Sequence, residues 1–495
     1  MTDASADSRP ARPVALAVSK LGEHRGRRRL WLEGMKLTRA GIKPGDRYTI
    51  SWEPESGRLD LVISPDGDRK VSGRMRHNRA MPIIDITSEE VERSLGPGIE
   101  RAQVKVYPDR ISVEVHPDDA AARARIGRLV AKVRAGVPLD AGSLAHGGGI
   151  LDHALHAGLA ESGVRTRLAF AVEIDQDAID IAASRNPTWD KDTLAVHAPL
   201  EQVPTEMLPQ VDVLVAGLPC TGASKSGKAK NRIRLAEDHA SAGALVVPFL
   251  QAVKHTKPVL VVLENVGDYA ASASASLIRT TLTTWGYAIH ETILDGRAMG
   301  ALEDRRRLCL IAAAPELMLD LSKLVPTRKP EATLAAILEK VEPDSERWRP
   351  FLHHLDKAAR DKEAGKGFKF NVVTPEADRV GAMGAGYHKD RTTEPHILHP
   401  TDPGLARLLT PVEHARAKTV PPELVEGIAP MLAHRILGNS VIWEAWRSVG
   451  RYLGDRTLST AGVIVEKALP TLEGAAQSVF SFMDPEPAVE AGWRR

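Results

Sequence analysis

Pro219 and Cys220 close an apolar run, Val211-Asp212-Val213-Leu214-Val215-Ala216-Gly217-Leu218, and Glu264 closes a second one, Val259-Leu260-Val261-Val262-Leu263. Runs this apolar read as strands buried on both faces of a parallel sheet. The carboxyl edge of such a sheet is where active sites form. Two neighbouring strands would therefore set a thiol beside a carboxyl. A thiolate attacks electron-poor carbon, and a carboxyl beside it manages the protons. Proline fixes the turn that projects the thiol, and Asn265 is read as fixing the turn after Glu264. Arg305 and Arg307 alternate as they enter a further strand, so they point the same way. The second cysteine, Cys309, lies inside that apolar strand and reads as packed core.

Two more features accompany this pair. Gly147, Gly148 and Gly149 follow Leu144 at a strand-to-helix turn, where backbone amides can approach a ligand. Glu173 ends the strand after that turn, a position from which a carboxylate can take both ribose hydroxyls of a nucleoside.

The chain that must position these residues has 495 of them, enough for two or three domains. Hydrophobic residues make up 43% and charged residues 26%, the balance of a globular protein. With 66 basic against 64 acidic residues the net charge is +2, so a case for nucleic acid has to rest on local clusters. No apolar run approaches the roughly 18–20 residues of a membrane span, and Met1 to Arg12 has no apolar signal core. Two cysteines argue against a disulfide scaffold and a cysteine-built zinc site, no metal is expected, and a cytoplasmic, nucleoid-associated location is.

Residues 1–12 read as disordered and 13–117 as a β-rich domain, with strands at Leu30–Leu32, Tyr48–Trp52, Leu59–Ile63 and Ile111–Val115. Residues 118–137 read as a helical linker whose apolar face carries Ile126, Leu129, Val130 and Val133. Over 138–314 apolar strands alternate with helical stretches, which predicts a doubly wound, mostly parallel α/β sheet. Residues 315–406 break that rhythm, with an irregular stretch from Gly365 to Pro400; helices return over 407–468, and 469–495 read as a flexible tail.

Taken in order, five blocks resemble the DNA cytosine-5 methyltransferases. They are Leu144 to Ile150, Val172 to Asp175 with Asn186-Pro187, Gly217 to Cys220, Glu264-Asn265-Val266, and Glu303 to Leu308; Arg407 to Arg416 and Gly438 to Val441 extend the match. The departures are Leu144 for an aromatic, His146 for a glycine, Thr221 for a glutamine after Cys220, and Glu303 for a glutamine. The resemblance implies a Rossmann-like fold dependent on S-adenosyl-L-methionine. It assigns the cofactor to Leu144, Gly147, Gly148, Gly149, Glu173, Ile174, Pro219, Asn439, Ser440 and Val441, with Ile174 packing on adenine. It makes Cys220 the nucleophile at C6 of a flipped cytosine, Glu264 the acid at N3, Arg307 the contact to O2, and Arg305 the second, buttressing arginine. Thr410 and Glu413 read as a helix capping box.

Double-stranded DNA is the implied partner. Ser224, Lys225, Lys228, Lys230 and Arg232 follow Cys220 as a candidate phosphate-binding lid. Tyr387, Lys389 and Arg391 mark the candidate tip of a small inserted recognition domain over 315–406. Residues Leu37 to Arg47 resemble the swapped-hairpin barrel of AbrB-like and SymE-like proteins, which allows for a dimer through the N-terminal domain. Arg25, Arg27, Arg28, Arg29, Arg74, Arg76 and Arg79 would there meet phosphate or solvent. A partner restriction endonuclease also fits the resemblance. An RNA cytosine-5 methyltransferase, and a DNA-binding regulator with a vestigial methylase, remain alternatives.

Overall fold

The computed structural model describes residues 12–53, 57–219, 245–365 and 370–472. The chain divides into two compact units, residues 1–124 with 468–495, and residues 125–467. No helix among the described residues is long and apolar enough to cross a membrane.

The first unit is β-rich, as its short alternating runs predict. One antiparallel sheet orders its strands Ala15–Lys20, Arg101–Val106, Arg110–Val115, Arg58–Ile63, Arg47–Glu53 and Arg69–Lys70. A second orders Gly22–His24, Arg27–Glu33, Arg79–Thr87 and Ser72–Arg76. Every other residue of Arg101–Val106 is buried, the period of a half-covered strand. Leu30, Leu32, Ile84 and Ile86 of one sheet join Leu59, Leu61, Val104 and Val113 of the other in a single core. His77 and Asn78, both at positive φ, make the two-residue hairpin that joins Ser72–Arg76 to Arg79–Thr87. Several of the N-terminal arginines are already paired: Arg29 with Asp85, Arg27 with Glu89, and Arg74 and Arg76 with Glu33.

The second unit is built on a seven-stranded sheet. Its strands in chain order are β1 (Leu139–Leu144), β2 (Thr166–Glu173), β3 (Leu194–His197), β4 (Val213–Gly217), β5 (Leu260–Val266), β6 (Ala288–Asp295) and β7 (Arg306–Ala313). Their spatial order is β3-β2-β1-β4-β5-β7-β6. β7 runs antiparallel to both neighbours, and the other pairs are parallel. The apolar runs follow from this geometry. Val213 and Val215 of β4, with Leu260 and Val262 of β5, pack on one face; Leu214, Ala216, Val261 and Leu263 pack on the other. Both faces are sealed, so polar side chains surface only at the strand ends.

The region read as a linker is a helix, α1 (Pro117–Arg134), but its second half is a working part of this unit. Leu129 lies in the sheet core. Arg128 and Lys132 reach Asp212 at 2.7 and 2.5 Å, and the Asp212 side chain has no solvent exposure. A buried carboxylate is tolerated because two cations and the Asp140 amide satisfy it. The irregular stretch also carries more order than its composition suggests. Arg349–Pro350, Asn371–Val373, Pro395–Leu398 and Leu405–Arg407 form a four-stranded sheet. The last helix, α2 (Trp443–Leu472), runs beyond the expected boundary at 469.

Three of the buried histidines of the second unit are held far below their ordinary pKa. His156 and His434 are pushed down to about 4, and His414 well below its ordinary range, chiefly by burial. Each is neutral when folded, whereas the unfolded chain takes up protons near pH ~6.5. Between about pH 6.5 and 4 the unfolded state binds more protons, so stability falls as pH drops through that window, by up to ~1.4 kcal/mol per pH unit for each histidine. Urea unfolding at stepped pH measures this, and His156→Gln should flatten the slope.

Candidate active site

The carboxyl ends of β1, β2, β4 and β5 meet at one edge. After β1 the chain turns through Ala145 and Gly147, both at positive φ, and Gly149 at φ 72° starts the helix Ile150–Glu161. Two contacts hold this turn. The Asn186 amide donates to the Gly149 carbonyl at 2.8 Å. Trp189 Nε1 donates to His146 Nε2 at 3.1 Å, while His146 Nδ1 faces Ser143 Oγ at 2.9 Å and Asp152 Oδ2 at 3.0 Å. An accepting Nε2 leaves the proton on Nδ1, and the ring serves as a strut beneath the turn.

Glu173 ends β2 facing the same turn. Its Oε1 accepts the amides of Ile174 and Asp175, both at 2.9 Å, and Oε2 accepts the Gly147 amide at 2.6 Å. A carboxylate offers about four lone-pair sites, so this one is oriented by three amides and keeps acceptor capacity for a ligand. A Cβ placed on Gly147 would meet nothing within 4 Å, so open space lies over the turn. Ile174, next to Glu173, is 63% exposed. An oriented acid, open ground above a glycine turn and an exposed apolar side chain together suit a nucleoside with a carboxylate-bearing tail. Arg435 on the helix Pro430–Asn439 pairs with Asp175 at 3.2 Å and Asp177 at 2.6 Å, tying the C-terminal segment to this edge.

Glu264 sits at the end of β5, in register with Gly217 of β4. Its Oε1 lies 2.8 Å from Arg307 Nε, with the two side chains 14% and 18% exposed. Burial raises the Glu264 pKa, and Arg307 and Arg305 work against that rise. Asn265 is buried; it donates to the Leu218 carbonyl at 3.1 Å and accepts the Val266 amide at 2.9 Å. It thereby fixes the chain just before Pro219. Arg305 is buried; it donates to the carbonyls of Gly438, at 3.1 Å, and Met383, at 3.4 Å, and lies 3.4 Å from Glu303 Oε1. Glu303 carries no solvent exposure and meets Lys418 Nζ at 2.8 Å, itself fully buried.

The family model for C-5 cytosine-specific DNA methylases matches residues 141–455 of this chain. The chain belongs to the C-5 cytosine-specific DNA methylases. The methylase is 25% identical over 284 residues to the type II methyltransferase M1.ScrFI of Lactococcus lactis subsp. cremoris, covering 56% of this chain and 67% of that protein. It is 24% identical over 298 residues to M.HhaI of Haemophilus parahaemolyticus, covering 54% of this chain and 85% of that one. The solved structure of the Entamoeba histolytica methyltransferase EhMeth aligns with a TM-score of 0.50 at 18% identity, over 64% of this chain and 98% of that one, a likeness in fold. The methylase is thus an S-adenosylmethionine-dependent enzyme of DNA cytosine-5 methylation.

The structure of the methylase brings together most residues expected at its site. Gly147, Gly148, Gly149, Glu173, Ile174, Pro219, Glu264 and Arg307 lie at the one sheet edge, and Asn439 and Ser440 end the helix that Arg435 ties to it. Arg305 braces the Gly438 and Met383 carbonyls, the buttressing place expected of it. Three expectations need correction. Leu144 has no exposure and belongs to the sheet core, so it braces β1 instead of meeting cofactor. Val441, 3% exposed, likewise packs in the core. Tyr387 is fully buried, its hydroxyl donating to the Pro395 carbonyl and accepting the Leu409 amide, so it cannot touch DNA, while Lys389 and Arg391 are exposed. Cys220, Ser224, Lys225, Lys228, Lys230 and Arg232 lie outside the described residues. Thr410 and Glu413 do form the capping box, and Cys309 is buried core with its thiol pKa raised by burial.

Sequence reasoning missed His146 and Lys418. His146 stood only as a departure from a glycine, and Lys418 gave no motif signal, yet each satisfies a buried polar partner. Substituting Glu173→Gln keeps the size and removes the charge. Each lost charge-assisted bond is worth on the order of 1.5–3 kcal/mol, so S-adenosylmethionine binding should weaken at least ~10-fold by calorimetry. An unchanged dissociation constant would move the ribose contact elsewhere.

Proposed function

We propose that the methylase acts by covalent catalysis from Cys220 on a cytosine flipped out of double-stranded DNA. The observation that supports this most strongly is the pairing of Gly217 with Glu264, which sets the strand leading into Pro219 and Cys220 beside a carboxyl with a raised pKa. Asn265, through the Leu218 carbonyl, adds rigidity to that lead-in.

In this reading the Cys220 thiolate adds to C6, forming a C–S bond as the C5–C6 π pair moves onto C5. Glu264, whose pKa burial raises, is the group placed to give a proton to N3 and so neutralise the developing charge. Arg307 orients the base through O2 while holding Glu264. S-adenosylmethionine, when bound, would supply an electrophilic methyl group: the electron pair on C5 forms the new C–C bond as the sulfonium–methyl bond breaks and its pair returns to sulfur, leaving S-adenosylhomocysteine. The C5 proton then leaves to water, the C5–C6 double bond returns, and the C–S bond breaks to free the thiolate. N3 returns its proton to Glu264. Glu173 and the amides of the Gly147–Gly149 turn would hold the methyl donor. Lys389 and Arg391, with Ser224, Lys225, Lys228, Lys230 and Arg232, would contact the DNA. A partner restriction endonuclease and an N-terminal dimer are part of the same reading.

Cys220→Ser should abolish transfer of labelled methyl to DNA while DNA and S-adenosylmethionine dissociation constants change less than about threefold, because a serine hydroxyl is a poor nucleophile at C6. Near-normal turnover would sink the mechanism, and preferential labelling of RNA would redirect the substrate.

Deleting residues 1–117 should weaken DNA binding and lower its salt dependence while methylation stays at the same sites, since phosphate contacts carry no sequence information. Mapping methylated cytosines made by the truncated and full-length chains tests this. A changed target sequence would show that the N-terminal unit reads bases.

A further inference from the structure

Away from the sheet edge, in the region between Arg307 and Arg407, two histidines and an aspartate converge. His354 comes from the helix Leu352–Glu363, His396 from the strand Pro395–Leu398, and Asp390 from the turn after Tyr387–Lys389. Their ligand atoms all lie within 4.8 Å of one another. His354 Nε2 is 3.2 Å from Asp390 Oδ1, and His396 Nε2 is 2.5 Å from the same oxygen. The two imidazole side chains are 5% and 4% exposed, while Asp390 keeps 38%, so one side of the cluster opens to solvent.

The far side of each ring is tied down. His396 Nδ1 lies 2.8 Å from the Glu394 carbonyl, which can only accept, so Nδ1 holds the proton. His354 Nδ1 lies 3.1 Å from Thr392 Oγ1. A ring anchored through Nδ1 leaves Nε2 to exchange its present contact for a metal ion, the arrangement found behind metal-ligating histidines. Here both Nε2 atoms lie within hydrogen-bonding distance of one carboxylate oxygen. Asp390 is held at φ 53°, a left-handed conformation an aspartate adopts more readily than most residues and that aims its carboxylate inward. Phe370 stacks on His354 at 5.0 Å and 14° and walls the cluster with an apolar face.

We propose that His354, Asp390 and His396 bind a divalent transition-metal ion of the zinc class, with water as the fourth ligand on the exposed side. The donor set, two imidazoles and one carboxylate, suits such an ion better than calcium or magnesium, which take oxygen. Metal–ligand bonds of about 2.0–2.1 Å place tetrahedral donors ~3.3 Å apart; the 3.2 Å between His354 and Asp390 already matches this, whereas the 2.5 Å between His396 and Asp390 is a hydrogen bond that the carboxylate must give up, drawing back from His396, as the ion enters. The ion would pin the helix Leu352–Glu363 to the strand Pro395–Leu398 and to the turn that carries Lys389 and Arg391, stiffening the recognition region.

The test uses the full chain stripped with chelator, then titrated with Zn2+ and separately with Co2+. About one equivalent should bind tightly, with Co2+ giving the visible absorption of a four- or five-coordinate nitrogen–oxygen site and Zn2+ raising the melting temperature. His396→Ala and Asp390→Asn should each raise the dissociation constant by roughly 100-fold or more, and Thr392→Val, which acts only through His354, by about 10–100-fold. His353→Ala, whose exposed ring lies 3.9 Å from that of His354 but supplies no ligand to the cluster, should leave the one-equivalent binding in place. Absence of stoichiometric binding in the unmodified chain overturns the proposal, as does binding that survives His396→Ala. The titration of the unmodified chain decides the matter by itself if a variant does not fold.

Discussion

The ion pair between Glu264 and Arg307 is the constraint around which the active-site edge is arranged. β5 is apolar on both faces, so its terminal carboxylate enters a region that solvates charge poorly. An unpaired carboxylate there would cost several kcal/mol. β7 runs antiparallel to β5 and returns Arg307 to within 2.8 Å of it. The antiparallel strand is thus what allows an otherwise parallel sheet to place a cation at the active edge. Burial and pairing pull Glu264 in opposite directions, and the balance leaves a carboxyl that can carry a proton without being isolated.

A second tier of charge lies behind the first. Glu303, where the resembled family has glutamine, would add a buried negative charge beside Arg305. Lys418, at 2.8 Å and fully buried, offsets it, and burial drives the lysine down to about 7. Arg305, which also meets Glu303 at 3.4 Å, donates to the Gly438 and Met383 carbonyls. That contact joins three distant segments. Gly438 is required where they meet, because a Cβ there would lie 2.2 Å from the Gly384 backbone. The segment around Met383 and the C-terminal helices are therefore coupled to the carboxyl edge of the sheet through backbone carbonyls, contacts with no side-chain signature.

The glycine turn shows a comparable substitution of means. A histidine stands where a glycine is common, and its ring is absorbed by Ser143, Asp152 and Trp189 beneath the turn. The backbone still takes positive φ at Ala145, Gly147 and Gly149, so the amide of Gly147 reaches Glu173. Departure from a motif at the side-chain level leaves the backbone geometry intact.

Much of this was legible in the residues alone. Apolar runs ending at Pro219 and in Glu264 determined two sealed parallel strands and the carboxyl that the second one delivers, because burial on both faces forbids polar side chains elsewhere in the run. Local chemistry also determined the Thr410–Glu413 cap and the Asn265 turn, since each involves near neighbours. Tertiary structure alone decided which polar residues are braces and which are free. Tyr387 and Leu144 look available in sequence and are buried, because exposure depends on segments far along the chain. Arg128 and Lys132 look like solvated linker charges and instead satisfy Asp212. The clustering of His354, Asp390 and His396 has no spacing signature, because three separate elements supply it. Sequence periodicity reports the face a residue occupies on its own element; only packing determines what that face meets.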